Sequence, residues 1–131
     1  MIGLDTNVVV RYITQDDPDQ SNLAGDFIEK YCTRSNPGFV NLIVCCEIVW
    51  VLKRAYGYDK TTILAVMKQI LQTAELHIEN ADLVWKALSE FESGNADFSD
   101  YLISSINRNN DCSYTVTFDK KAASLSQNKL L

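Results

Sequence analysis

Four acidic residues stand far apart in the sequence at positions where their carboxylates could act together on one metal ion. They are Asp5, Glu47, Asp100 and Asp119. Asp5 follows the apolar run 1–4, and Asp119 comes two residues after a β-branched run that ends at Thr117. In open α/β sheets, sites form beyond the carboxyl ends of the strands. We therefore expect the four acids to meet at one edge of a sheet.

A cluster of carboxylates needs a compensating charge. Two like charges about 4 Å apart repel by roughly 4 kcal/mol at an effective dielectric near 20, and a hard divalent cation offsets that repulsion. Mg²⁺ and Mn²⁺ prefer oxygen ligands, and His77 is the only histidine, so these ions are favoured over Zn²⁺. Such an ion can lower the pKa of a bound water and stabilise a leaving oxygen. This arrangement suits the hydrolysis of phosphodiester bonds.

Polar neighbours of the acids could support this chemistry. Hydroxyl and amide groups beside the acids could orient ligands or phosphate through hydrogen bonds; these are Thr6, Asn7, Ser99 and Thr117. Asp97 could be a fifth, outer acid or the N-cap of the helix that carries Asp100. Arg11 and Lys120 are candidates for contacts with the phosphates of a nucleic acid substrate.

Each acid also has a simpler interpretation when taken alone. Asp5 and Asp119 could cap the segments that follow them. Asp100 could be explained by a favourable interaction with a helix N-terminus. Glu47 could face solvent at the edge of its helix, where a charged residue costs little. Only the joint pattern favours a shared function.

The elements that must position the acids alternate between strand and helix. Strands are predicted at 1–4, 39–41, 75–78 and 112–117, and 129–131 could add a short fifth. Helices are predicted at about 6–14, 18–33, 42–56, 60–73, 81–92, 97–109 and 119–125. Short strands separated by helices indicate an α/β fold with a mostly parallel sheet covered by helices on both faces. One face of the second helix carries Leu23, Phe27, Ile28 and Tyr31; core or dimer-interface positions are predicted at Val49, Trp50, Leu52 and Tyr56.

Composition narrows the class of protein. The 131 residues predict a single domain, 1–131, and 47% apolar with 22% charged residues is typical of a globular chain. A net charge of −5 argues against a protein that coats nucleic acid, but less against a nuclease whose cations reverse the local charge. The four cysteines fit no metal-ligand spacing and are expected to be buried thiols. Without a secretory signal or an apolar membrane span, we expect a cytoplasmic protein.

Four segments, in this order, give the chain a family resemblance. They are Leu4-Asp5-Thr6-Asn7-Val8, Cys46-Glu47-Ile48-Val49-Trp50-Val51-Leu52, residues 94–103 (Gly-Asn-Ala-Asp-Phe-Ser-Asp-Tyr-Leu-Ile) and Thr117-Phe118-Asp119-Lys120-Lys121-Ala122. Together they resemble PIN-domain ribonucleases, in particular toxins of the VapC type from toxin–antitoxin pairs. The resemblance extends over nearly the whole chain. Each segment alone is common, whereas four in order at these distances are specific.

The resemblance implies a fold, a chemistry and partners. It implies a three-layer α/β/α sandwich with four to five short strands, and metal-binding acids at Asp5, Glu47, Asp100 and Asp119. It also implies endonucleolytic cleavage of RNA with Mg²⁺ or Mn²⁺, a cognate antitoxin whose C-terminal segment covers the active site, and a homodimer. Arg11 and Lys120 would then contact RNA. Separately, the lack of an apolar stretch long enough to span a bilayer predicts no membrane association. The sequence departs from many relatives at Ser99 and Tyr101, where alanines are frequent, and Tyr101 adds bulk near the site.

Other functions remain open on the sequence. A PIN-type nuclease could process RNA without being a toxin, and a binding module could keep the fold without catalysis. A phosphatase of the haloacid dehalogenase type is set aside, because its chemistry requires a second aspartate where this chain has Asn7.

Overall fold

The first of two compact units holds a three-stranded parallel sheet. The structure is a computed structural model that describes all residues, Met1–Leu131; its units are Met1–Ala81 and Asp82–Leu131. The strand order is β1-β2-β3, with β1 (Ile2–Gly3), β2 (Gly38–Val40) and β3 (Leu76–Ile78). The helices are α1 (Thr6–Thr14), α2 (Pro18–Tyr31), α3 (Leu42–Arg54) and α4 (Lys60–Leu71).

The second unit combines helices with a two-stranded parallel sheet. Helix α5 (Ala81–Ser93) begins at the boundary residue and is followed by α6 (Phe98–Asn109). Strand β4 (Thr115–Thr117) pairs with β5 (Asn128–Leu130), and a single 3-10 turn, Ala122–Ser124, lies between them in sequence. The predicted α/β class with parallel strands is confirmed, and the five strands form two sheets, one in each unit. The assignment of one domain stays a prediction.

Side-chain caps fix where the helices of the first unit begin. The Asp17 carboxylate accepts the backbone N–H of Gln20 at 3.1 Å, and Pro18 occupies the first helical position of α2. The Asp59 carboxylate accepts the N–H of Thr62 at 2.8 Å and starts α4 in the same way. Each cap satisfies a donor that the helix itself leaves unpaired, which typically contributes about 1 kcal/mol. These contacts are local, and both helix starts agree with the sequence prediction.

The sheet of the first unit has one buried face. Val40, Leu76 and Ile78 are buried, whereas Phe39 and His77, which pair across β2 and β3, point to the other face with their rings 6.0 Å apart. Each strand pairs with the next strand in sequence, and such parallel crossovers are almost always right-handed. Two right-handed crossovers in the same direction place their helices over one face. Consistent with this, α1 and α3 contact each other.

The apolar face predicted for α2 is only partly buried. Ile28 lies in the core together with Ala24, but Leu23, Phe27 and Tyr31 are exposed. The α2 helix contacts α1, and it buries its smaller residues there. The larger apolar side chains are left along its outer edge.

The predictions for the cysteines and the last strand need correction. All four cysteines are free; Cys32 and Cys45 are buried, but Cys46 is half-buried and Cys112 is exposed. Burial raises the pKa of the Cys45 thiol to about 12. Strand β4 starts only at Thr115, because residues 110–111 form a turn after α6 and residues 112–114 connect that turn to the strand. No helix of the protein has the length and apolar composition required to cross a membrane.

The close contact between Gly94 and the Tyr101 side chain leads to a first testable prediction. A Cβ atom on Gly94 would lie 1.7 Å from the hydroxyl of the buried Tyr101 and 3.1 Å from the Glu90 carbonyl oxygen. We expect Gly94→Ala to lower the free energy of unfolding by about 1–3 kcal/mol, the usual cost of overpacking. Gly25→Ala is the control: its Cβ meets nothing within 4 Å in helix α2, so it should be neutral or stabilising. Urea denaturation of both variants measures the difference, and equal stability would contradict the prediction.

Candidate active site

Asp5 stands at the start of α1 with its carboxylate exposed. Its Oδ1 accepts the backbone N–H of Thr6 at 2.8 Å, so Asp5 is the N-cap residue of the helix. This capping bond involves only Oδ1, and the carboxylate can still bind a cation through its other oxygen. The capping role and the predicted metal-binding role are therefore compatible.

Thr6 provides an unsatisfied polar atom next to Asp5. Its side chain is only 4% exposed, and Oγ1 is buried without a hydrogen-bond partner. A buried polar atom left unpaired costs about 1–3 kcal/mol. Such an atom beside a predicted metal ligand is suited to orient a group that arrives with the ligand or the substrate.

Asp5 also borders a groove in the first unit. The groove has a volume of about 490 Å³, which lies within the range of ligand sites. Its polar lining comes from Asp5, Asn7, Arg11 and Gln20, and its apolar lining from Ile2, Leu4, Val8, Leu23, Ala24 and Phe27, with the backbone of Gly3. Three of the predicted functional residues thus share one groove, and the exposed edge of α2 forms one of its walls.

Arg11 is already engaged by neighbouring side chains. Its Nε donates to Gln20 at 2.8 Å, and its Nη1 donates to Asp16 at 2.9 Å and to the Tyr56 hydroxyl at 2.6 Å. The hydrogen bond to Asp16 raises the pKa of Arg11. The pKa of Asp16 is lowered to about 2, first by the Thr14 hydroxyl. A phosphate would compete with these partners, and the role of Arg11 in RNA contact stays a prediction.

Glu47 lies on an exposed face of α3. It stands one turn after Ile43 and one turn before Trp50, which are 71% and 60% exposed. Although α3 is strongly apolar, the Glu47 carboxylate is therefore in contact with solvent. Placing Trp50 in the core was wrong, because its ring lies on the surface with the Arg54 guanidinium 5.7 Å from the ring centroid. The alternative interface position stays a prediction.

In the second unit, Asp100 occupies the first turn of α6. Its Oδ2 accepts the backbone N–H of Asp97 at 3.0 Å. Asp97 is the N-cap residue of α6, and the two acids form a capping box. Of the two roles proposed for Asp97 from the sequence, the structure shows the capping role.

The carboxylate of Asp100 is electrostatically strained. Its pKa is raised first by burial and further by the negative charges of Asp97 and Asp119, against the opposing hydrogen bond from Asp97. Asp119 is therefore near enough to Asp100 for the two charges to repel each other. A cation bound between them would reverse these shifts. This pair is the part of the predicted cluster that lies within the second unit.

Asp119 shapes the turn that follows β4. Its Oδ1 accepts the backbone N–H groups of Lys121 and Ala122 at 2.8 and 3.0 Å. Its own N–H donates to the Thr117 hydroxyl at 3.0 Å. The helix predicted at 119–125 is wrong: only the 3-10 turn Ala122–Ser124 forms, because the chain becomes extended at Leu125. The bond to the Thr117 hydroxyl gives Thr117 a positioning role beside the acid, and the adjacent Lys120 is exposed.

The remaining predicted residues differ in their surroundings. Asn7 is exposed, and Ser99 is half-buried at the start of α6. Tyr101 is only 5% exposed, and its hydroxyl accepts the N–H of Ala96 at 3.3 Å. The bulk that Tyr101 adds is therefore packed inside the unit against Gly94.

The donor chemistry suits a hard cation, although a complete ligand cage is not formed. No three histidine, cysteine, aspartate or glutamate side chains are arranged to hold a metal ion. The carboxylates present are nevertheless the ligand type that Mg²⁺ and Mn²⁺ prefer, and Mg²⁺ keeps several waters instead of requiring a cage of protein atoms. Within the second unit, the acids Asp100 and Asp119 are ligands of the type that such an ion prefers.

One residue with a clear chemical feature was missed by the sequence analysis. Glu90 lies on α5 among the buried residues Ala87, Leu88 and Phe91, and its Oε1 is buried without a hydrogen-bond partner. The available signal was an acid adjoining the apolar stripe of a helix. That signal is weak, since most acids at such positions place their carboxylates in solvent.

Comparison with known proteins settles the family. The sequence profile described as PIN domain matches residues 2–127, which is nearly the full length of the chain. No curated protein matches the sequence. The chain therefore belongs to the PIN-domain family, whose members are generally nucleases.

Proposed function

We propose that this protein is a metal-dependent endoribonuclease and the toxin of a toxin–antitoxin pair. The observation that carries the proposal is the match of residues 2–127 to a family of nucleases, in a chain whose partly buried Asp100 carries the same charge as the nearby Asp119. PIN-domain nucleases generally use divalent metals and act on nucleic acids. Two carboxylates that repel each other are what a divalent cation would stabilise.

The proposed ligands are the four acids identified from the sequence. Asp5, Glu47, Asp100 and Asp119 would hold Mg²⁺ or Mn²⁺, which when bound supplies an acidified water and offsets charge on the leaving oxygen. The Thr6 hydroxyl would accept or donate a hydrogen bond at the reacting phosphate. Thr117 keeps Asp119 in place through its backbone N–H. Lys120, which is exposed next to Asp119, would contact a phosphate of the RNA.

Two exposed apolar surfaces support the proposed partners. The groove that includes Leu23 and Phe27 at α2 could be covered by an antitoxin segment, which would shield Asp5 from substrate. The exposed Trp50 near the C-terminal end of α3 could form part of a homodimer interface that leaves Glu47, one turn earlier, open to the ion. Large exposed apolar side chains at neighbouring positions are typical of interaction surfaces.

The test is direct cleavage of RNA. Purified protein, freed from any antitoxin, is incubated with transfer, ribosomal and messenger RNA in Mg²⁺ or Mn²⁺, and the products are resolved on denaturing gels. We expect discrete internal cuts that disappear when EDTA replaces the ion. Single-stranded DNA of matching sequence serves as the control substrate. Absence of cleavage in both ions over the whole panel would reject the nuclease and favour a binding module.

A growth assay separates the toxin from an RNA-processing enzyme. Induced expression of the wild-type chain in bacteria is expected to arrest growth, and Asp119→Asn should relieve the arrest at equal protein levels. An active nuclease that leaves growth unchanged would instead favour a role in RNA processing.

A further inference from the structure

A polar cavity lies in the second unit beside the segments that carry two of the acids. It has a volume of about 320 Å³. Its lining comes from the end of α5, the loop before α6, and the 3-10 turn with the residues that follow it. The lining residues are Glu90, Ser93, Gly94, Asn95, Tyr101, Ser124, Leu125 and Ser126.

The segments that line the cavity lie close in sequence to both Asp100 and Asp119. Asn95 precedes Asp100 in the segment that begins α6, and Ser124 ends the 3-10 turn that the Asp119 carboxylate caps. An RNA strand that is cut at these acids continues past them on either side of the scissile phosphate. Tyr101, which lines the cavity, directly follows Asp100 in α6, so a nucleotide next to the cut would lie near this cavity.

The charge and bonding of the lining decide which part of a nucleotide would fit. Glu90 is the only charged residue in the lining, and its buried Oε1 makes no hydrogen bond. Arg108 Nη2 lies 3.9 Å from Oε1, so the two side chains form an ion pair at a distance beyond that of a hydrogen bond. The Ser124 hydroxyl is already used, since it donates to the Lys121 carbonyl oxygen at 2.6 Å. A carboxylate repels phosphate but accepts N–H groups, so the cavity suits a base.

Among the four bases, guanine matches a carboxylate best. An ionised carboxylate has two acceptor oxygens and no donor. The Watson–Crick edge of guanine presents two neighbouring donors, N1–H and the N2 amine. Adenine and cytosine place an acceptor nitrogen beside their single amine, and uracil places its N–H between two carbonyl oxygens. Bases of single-stranded RNA are commonly recognised on this edge after they leave the stack.

We infer that the cavity binds a guanine base of the RNA substrate, with the Glu90 carboxylate accepting hydrogen bonds from N1–H and N2–H. This inference rests on the proposed endoribonuclease function and names its base preference. A small rotation of the Glu90 side chain, which is 34% exposed, presents the carboxylate to the base. The base then supplies the hydrogen-bond donor that Oε1 lacks.

The cleavage test compares short single-stranded RNAs that differ at one nucleotide beside the cut. We expect the wild type to cleave the guanine substrate about tenfold to a hundredfold faster than the adenine substrate, since a bidentate base contact discriminates by about that factor. Inosine, which lacks the N2 amine, should fall between them. Glu90→Gln should remove most of the guanine preference, because an amide offers one donor and one acceptor. Glu92→Gln, at an exposed position of α5, makes the same chemical change as a control.

A binding experiment tests the cavity without catalysis. Guanosine alone is titrated into the metal-free protein, and the amide resonances of 93–95 and 124–126 are followed by NMR. Shifts with guanosine but not with adenosine support the inference; equal response to both nucleosides, or none, overturns it. Cleavage of RNA without guanine preference, or with a preference that survives Glu90→Gln, also overturns it. If no RNA is cleaved but guanosine still binds selectively, the nuclease proposal fails and the guanine site stands.

Discussion

Replacing Asp100 with asparagine is expected to lower RNA cleavage by at least about a hundredfold, while raising the stability of the metal-free protein at neutral pH. Loss of a residue that only supports a metal ligand typically costs about 10–100-fold in metal affinity or activity, and loss of a proposed ligand should cost no less. The stability gain has a separate cause. Asparagine keeps an acceptor for the Asp97 N–H but carries no charge that burial, and then the charges of Asp97 and Asp119, would disfavour.

The pH dependence of this gain follows from the direction of the pKa shift. The pKa of Asp100 is raised in the folded protein. A carboxyl with a raised folded pKa contributes its stability below the unfolded pKa and loses it as the pH rises through the folded pKa. The wild type should therefore match Asp100→Asn in acid and become the less stable of the two toward neutral pH.

Thermal unfolding in EDTA, measured from about pH 3 to pH 8, covers this range. Asp82→Asn is the matched control in the same unit, because it removes an exposed charge from the first turn of α5. That charge interacts favourably with the helix N-terminus, so the control should lose a little stability at neutral pH. An Asp100→Asn variant that is less stable than wild type at neutral pH would contradict the argument.

Divalent cations are expected to stabilise the folded protein, and loss of any one of the proposed ligands should remove the effect. A ligand that binds only the native state at a hundred times its Kd adds about 2.7 kcal/mol to the free energy of unfolding. We expect Mn²⁺ to produce a gain of this size in the wild type. Glu47→Gln and Asp119→Asn should each weaken Mn²⁺ binding, because the proposal assigns both to one ion.

Titration calorimetry with Mn²⁺ and thermal unfolding with and without the ion measure this effect. Asp26→Asn removes an exposed carboxylate from α2, outside the groove that Asp5 borders, and serves as the control. Undiminished Mn²⁺ affinity in Glu47→Gln would show that this residue is not a ligand. Equal losses in Asp26→Asn would point to weak, unspecific attraction of cations by the net negative charge.

Local chemistry made much of the fold predictable. Asp17 and Asp59 cap helices through bonds to residues three positions away, so the sequence contains all the atoms that decide where α2 and α4 begin. The parallel class followed from the alternation of short apolar runs and helices, which leaves few other arrangements. The helix ends were less accurate: α2 stops at Tyr31 instead of Thr33, and α3 at Arg54 instead of Tyr56.

Exposure was harder to predict, because it depends on what covers a face. The helical periodicity placed Leu23 and Phe27 on the apolar face of α2. Nothing in that pattern showed that this face would border an open groove. Trp50 has helical spacing with buried residues of α3 but lies on the outer face. Cys112 was assigned to a strand that begins only at Thr115.

The candidate site was predictable in its residue types and only partly in its contacts. The pattern of the acids led to the PIN-domain family, which the match over 2–127 confirms. The repulsion between Asp100 and Asp119, the unpaired Thr6 hydroxyl and the buried Glu90 oxygen all depend on the folded arrangement. No pattern in the sequence distinguishes Glu90 from the solvated acids of other helices.

The strand order β1-β2-β3 has a consequence for how the chain is made. Each strand is added at the edge of the one synthesised before it, so no later segment has to be inserted between existing neighbours. The first three strands, with the helices that connect them, can accordingly assemble in the order in which they leave the ribosome.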